Sequence, residues 1–197
     1  MPGQPPNDPR AALGRGDRTA LLVVDMLNDY AHPDGDALRR SAEDVVPVIA
    51  ALRDRAVDEG VPVVHVNDNH GRWESDRDAL VAQARDGAGA DLIDPIRPRD
   101  DAPFITKARH SVFYGSPLQY LLEHEGIGRL VLTGQVTEQC ILYSALDAYI
   151  RHFRLVVPRD AVAHIDPQLA DAALSMMERN MRADVVPADE VGLGARE

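Results

Sequence analysis

The sequence predicts a three-layer α/β/α, Rossmann-like fold. Short apolar runs of strand length recur at 20–24 (ALLVV), 61–66 (VPVVHV), 104–105, 130–133 (LVLT), 155–157 and 184–186. They are continuous rather than alternating, which suits strands covered on both faces, as the strands of a parallel sheet are. Longer amphipathic stretches separate them. Repeated alternation of this kind implies right-handed crossovers that lay helices on both sides of one sheet.

The elements are expected in the following order. Residues 1–17 begin MPGQPPNDPR, rich in Pro, Gly and Asn and without an apolar signal core, and read as a flexible tail. Residues 18–197 read as one domain, since no repeat, low-complexity block or second boundary interrupts them. The first strand ends at Asp25. Pro47 suits a helix start, and the helix then runs through IAALRDRAVDE to a capping Gly60. The second strand follows at once. Residues 67–101 are the least regular part and are expected to supply a lid or an oligomer contact. After the weak third strand, Pro117 opens the helix LQYLLEHE, closed by Gly126. The fourth strand leads to a helix over 138–151, the fifth to a helix over 167–181, and the sixth strand comes last.

Composition narrows the function. The chain has 197 residues, enough for one full core, and 45% are apolar. Lys plus Arg is 21 against 32 for Asp plus Glu, a net charge of −11. Phosphate backbones and anionic lipid repel such a chain, so neither nucleic acid nor a membrane is expected as a partner. No apolar run reaches the length of a membrane span. The single cysteine, Cys140, excludes an internal disulfide and a Cys-rich metal site. A reducing, cytoplasmic setting is expected.

Ligands of open α/β sheets bind beyond the carboxyl ends of the strands. Three reactive side chains stand there. Asp25 ends the first strand, Lys107 follows the third, and Cys140 lies seven residues beyond the fourth, in TGQVTEQC, where it opens the next helix. A helix N-terminus and a nearby ammonium both favour a thiolate. A carboxylate can take the thiol proton and later hand it to a leaving amine. Each residue also has a plain reading: a buried small hydrophobe for the cysteine, a turn residue for the aspartate, a solvated cation for the lysine.

The words around these residues carry more. LLVVDMLNDY, KARHSVFYGSPLQYLL, LVLTGQVTEQCILYSALDAYIRHFRLVVPRDAVA and HIDPQLADAALSMMERNMRADVV resemble successive segments of the isochorismatase-like cysteine hydrolases, the family that holds nicotinamidases, N-carbamoylsarcosine amidohydrolase and isochorismatase. The resemblance runs over about 19–187. It implies a six-stranded, largely parallel sheet in the order 3-2-1-4-5-6, with Asp25 and Cys140 facing each other at the switch point and Lys107 reaching back from an edge strand. It implies an Asp25, Lys107, Cys140 triad that hydrolyses a small amide, ureido or imide compound through a thioester. It also implies a cis peptide at Gln135–Val136, with the N–H groups of Val136 and Cys140 as the oxyanion hole. A homo-oligomer acting on a small-molecule substrate is the matching expectation for partners.

Departures from the pattern sharpen the reading. Leu27 stands where the family often has glutamine. The segment VNDNHGRW holds Asp68 and His70 but no second nearby histidine, and two ligands hold a divalent metal poorly. No metal or other cofactor is therefore expected. Asn67, Asn69 and Trp73 of that segment are expected to line the pocket, together with His110, Phe113 and Tyr114. Packing is the plain alternative for Trp73 and Phe113, as it is for Tyr143 and Tyr149, and surface roles are the alternative for His32 and His164. Two rival functions remain. An isochorismatase cleaves a vinyl ether and needs an acid rather than a thiol; a non-catalytic member would only bind. A nucleotide-binding Rossmann domain has no support, since MLNDY after the first strand lacks a glycine-rich phosphate loop.

Overall fold

The computed structural model of the chain describes residues 16–194. The tail expected over 1–17 lies outside them, apart from positions 16 and 17. One sheet runs through the domain. Its strands are β1 (Arg18–Val24), β2 (Val63–Asp68), β3 (Phe104–Lys107), β4 (Ile127–Gln135), β5 (Arg154–Pro158), β6 (Val162–Ala163) and β7 (Asp184–Val186). The order is β3-β2-β1-β4-β5-β7, all parallel, and β6 pairs with the end of β4. This is the expected order with one strand more. The two-residue β6 was too short to read as an apolar run.

The continuous apolar runs are explained by what covers the sheet. All nine residues of β4 are buried, as are six of the seven in β1. Successive side chains of β1 point to opposite faces. Leu21 and Val23 join Val63, Val131 and Val156 on one side, against the long helix α1 (Gly35–Asp58). Ala20, Leu22 and Val24 join Val64, Val66, Leu130 and Leu132 on the other. That second face is covered by α4 (Leu118–His124), α5 (Leu142–Ile150) and α6 (Pro167–Met181).

Two local expectations are corrected. Helix α1 begins at Gly35, well before Pro47, which sits inside it. The buried stripe Leu38, Ala42, Val45, Val46, Ile49, Leu52 and Ala56 keeps helical spacing across the proline. Pro47 itself is exposed, so its missing N–H and its ring lie on the solvent side. Residues 67–101 are more regular than expected. They contain α2 (Arg77–Arg85) and α3 (Ala90–Ile93), whose Leu80, Val81, Ala84 and Ile93 form a third apolar cluster with Leu27. The Gln83 side chain donates to Asp29 at 2.7 Å and the Ala88 N–H to the Asp29 carbonyl at 3.1 Å, which ties the segment to the loop after β1.

Candidate active site

The carboxyl ends of β1, β2, β3 and β4 meet at one place. Asp25 follows β1 with φ of 55°, a left-handed conformation that turns the chain sharply out of the strand. It is held from several sides. Its N–H donates to Val66 O at 2.8 Å, its carbonyl accepts from the Gln135 side-chain amide at 2.6 Å, and its Oδ1 accepts from the Asp68 N–H at 2.6 Å. Gln135 in turn accepts from the Tyr30 hydroxyl at 3.4 Å. Burial pushes the Tyr30 phenol up to about 12, so it remains a donor.

Lys107 is the last residue of the edge strand β3 and pairs in register with Asp68 of β2. Its side chain is fully buried and runs past the end of β2 to Asp25, with Nζ 2.8 Å from Oδ2. Nζ is also 3.2 Å from Asp68 Oδ2 and 3.6 Å from Cys140 Sγ. Cys140 lies in a π-type turn, Thr137–Ile141, between β4 and α5. The turn closes on the Val136 carbonyl, which accepts from Gln139 N at 3.0 Å and Ile141 N at 3.1 Å. The Gln135–Val136 peptide is cis.

The charges are tightly coupled. Burial raises the Asp25 carboxyl above its ordinary range, with Lys107 opposing. Burial, and then the Asp25 charge, raise the Cys140 thiol, again against Lys107. Burial by itself would lower Lys107, but Asp25, Cys140 and Asp68 outweigh it and hold the ammonium above the ordinary lysine range. The cluster thus places a lysine cation between the Asp25 and Asp68 carboxyl groups, with the Cys140 thiol beside it. A proton can pass from Sγ to Asp25 inside a site that keeps its counter-charge in place.

Beside this cluster lies an open cavity of about 480 Å³, lined by Asp68, Asn69, Trp73, Arg109, His110 and Tyr114 among others. His110 connects the two, with Nδ1 3.7 Å from Cys140 Sγ. Trp73 is 83% exposed and Tyr114 63%, so neither is a packing residue; both stand at the rim. Asn69 is buried, and its Oδ1 accepts from Gly71 N at 2.9 Å, shaping the loop.

Two of the residues expected to line the pocket are elsewhere. Phe113 is buried in the core, stacked on Phe153 at 5.8 Å with the Arg151 guanidinium 5.0 Å from its ring. The chain between Lys107 and α4 turns its side chain inward. Asn67 is also fully buried. Its Oδ1 accepts from Leu27 N at 2.9 Å and its Nδ2 donates to Leu27 O at 3.1 Å, so it pins the loop after β1. Leu27, where the family pattern has glutamine, packs into the third apolar cluster.

Some members of the site escaped the sequence reading. Asp68 figured there only as a potential metal ligand, but its carboxylate faces Lys107 and accepts from His70 N at 2.8 Å. The His70 ring lies 3.2 Å from the Leu27 carbonyl. No group of three or more His, Cys, Asp or Glu among the described residues could hold a metal ion. The available signal for Asp68 was its place at the carboxyl end of a strand, the same that marked Asp25. Gln135 was read only as one side of the cis peptide, and Arg109 only as part of the segment that carries Lys107.

Residues 19–190 match the family model described as the isochorismatase domain. The isochorismatase family protein YaaI of Bacillus subtilis (strain 168) is 31% identical over 172 residues, covering 87% of this chain and 95% of the relative. The N-carbamoylsarcosine amidase of Arthrobacter sp. is 26% identical over 191 residues, covering 91% of this chain and 72% of the relative. Among solved structures, the N-carbamoylsarcosine amidase from Thermoplasma acidophilum superposes with a TM-score of 0.66 at 30% identity, covering 88% of this chain and 98% of that one.

Proposed function

The chain belongs to the isochorismatase family, and on that premise we propose that it is a cysteine-dependent amidohydrolase that opens a small amide, ureido or imide bond through a thioester on Cys140. One observation carries the reading. A buried ammonium lies 2.8 Å from Asp25 Oδ2 and 3.6 Å from the only thiol in the chain, with a cavity alongside.

The cycle follows from the geometry. Asp25 accepts the proton of Cys140, and Lys107 offsets the charge left on sulfur. The thiolate attacks the carbonyl carbon, and the backbone N–H groups of Val136 and Cys140 receive the oxyanion. The tetrahedral adduct collapses, the C–N bond breaks, and Asp25 protonates the departing amine. Asp25 then takes a proton from water, whose oxygen attacks the thioester, and the acid leaves as the thiol re-forms. A raised Asp25 pKa suits both the acid and the base duty near neutral pH. It would also serve a vinyl ether hydrolase. The thiol beside Asp25 and Lys107 favours the amide reading, because acid-only chemistry has no use for it.

Iodoacetamide labelling of Cys140 against pH tests this without a known substrate. Wild type should label near neutral pH. Lys107→Ala should need higher pH, because the cation that favours the thiolate is gone. Asp25→Asn should also shift the labelling profile, because the group that takes the thiol proton is gone, and should release no ammonia from any amide that wild type turns over. A thiol indifferent to both substitutions would refute the triad.

A further inference from the structure

Arginines in this fold are generally tied down. Arg53 holds the Pro95 carbonyl at 2.7 Å, Arg55 holds the carbonyls of Ala188 and Val191 at 2.9 and 2.8 Å, and Arg151 holds the Gln119 side chain at 2.9 Å. Arg109, like Arg40, Arg72, Arg97, Arg179 and Arg182, makes no side-chain hydrogen bond or ion pair with a described residue. Of these it alone lines the cavity beside the thiol.

The acids nearby are already engaged. Asp25 and Asp68 both face Lys107, at 2.8 and 3.2 Å, and Asp68 Oδ1 accepts from His70 N. With both carboxylates ionised, that trio carries one net negative charge, which would repel an anion approaching Cys140. Arg109 cancels it and leaves a free, planar fork of donors, whose shape matches a carboxylate. The next residue, His110, touches Cys140 Sγ at 3.7 Å. Consecutive residues thus span from the thiol to the guanidinium, a gap suited to a short molecule. The rings of Trp73 and Tyr114 flank the same space.

We propose that this cavity selects amides that also carry a carboxylate, and that Arg109 is the specificity-determining residue that holds the carboxylate while the amide carbon sits at Cys140. The substrate class is then a short acid monoamide or an N-carbamoyl amino acid rather than a neutral carboxamide. This rests on the thiol chemistry proposed above.

Two alkylating agents of almost equal size separate the inference from that premise. Iodoacetate carries a carboxylate and iodoacetamide a neutral amide. With either, Cys140 Sγ forms the S–C bond, iodide leaves with the electron pair of the C–I bond, and the thiol proton passes to Asp25. Rates are compared in wild type, Arg109→Gln and Arg109→Lys. The ratio of iodoacetate to iodoacetamide rates should fall about tenfold in Arg109→Gln, the lower end for a charge-assisted contact because the site is open to solvent. Arg109→Lys should recover part of it, and the iodoacetamide rate should stay within about twofold throughout, which reports an intact site. An unchanged ratio with normal iodoacetamide labelling overturns the carboxylate assignment alone. A wild-type thiol inert to both reagents overturns the cysteine mechanism, and the assignment with it.

Discussion

Asp68 shows how one carboxylate tunes a neighbour it does not touch. It draws on the Lys107 charge at 3.2 Å, and that charge is what opposes the upward push of burial on the Cys140 thiol. Asp68→Asn keeps the backbone N–H that donates to Asp25 but removes the competing charge. The pH of half-maximal Cys140 labelling should therefore fall, by about 0.5–1 unit. Movement to higher pH would mean that Asp68 serves to hold Lys107 in position. At this scale Asp25, Lys107 and Cys140 were legible because each sits inside a recognisable word. Asp68 and Arg109 were not, since what they do depends on which charges fold against them and which do not. Phe113 illustrates the opposite limit. It lies six residues beyond the lysine, and only the turn of the chain decides that it faces the core.

Among the elements, the closest approach that matters is between β1 and β4. Gly134 pairs with Val24 and has φ of 111°, which L side chains rarely adopt. A Cβ there would overlap the carbonyl and amide of Val24. The missing side chain lets the ends of the two strands that carry Asp25 and the Cys140 turn come together. Gly134→Ala should lower the unfolding free energy by about 3 kcal/mol or more in urea titrations and slow Cys140 labelling in the molecules that remain folded. A change under about 1 kcal/mol with normal labelling would show that the strands can separate freely at this end. Strands were readable wherever an apolar run filled a fully buried register, as in β1 and β4. Helix α1 was misjudged at its start because Pro47 outweighed the apolar spacing before it, and α2 and α3 were hidden by short length and a charged outer face.

Across the molecule, acid stability has one conspicuous contributor. His65 on β2 is buried, and burial, with help from Arg53, pushes its pKa down to about 4. The unfolded chain binds that proton near pH 6.5. Between about 6.5 and 4 the unfolded state holds more protons than the folded one, so stability rises with pH. The His65 contribution is full above about 6.5 and is lost as pH falls toward 4, about 3 kcal/mol in all. His65→Gln should flatten the unfolding free energy across that window by a similar amount, measured by urea denaturation from pH 7 to 4.5. A parallel decline in both proteins would place the acid sensitivity in the carboxylates instead.

The sequence by itself determined the layered α/β architecture and singled out Asp25, Lys107 and Cys140, which the fold brings together. Those follow from local facts: apolar runs that must be buried on both faces, and reactive side chains at strand ends. Only the tertiary structure decided that Lys107 crosses the end of β2 to reach Asp25, that Asp68 shares the lysine and that Phe113 and Asn67 belong to the framework rather than the pocket. It also decided that Arg109 is left without a partner among the described residues. Charge pairing and cavity lining are set by through-space neighbours, which strand order and register bring together from segments up to more than a hundred residues apart.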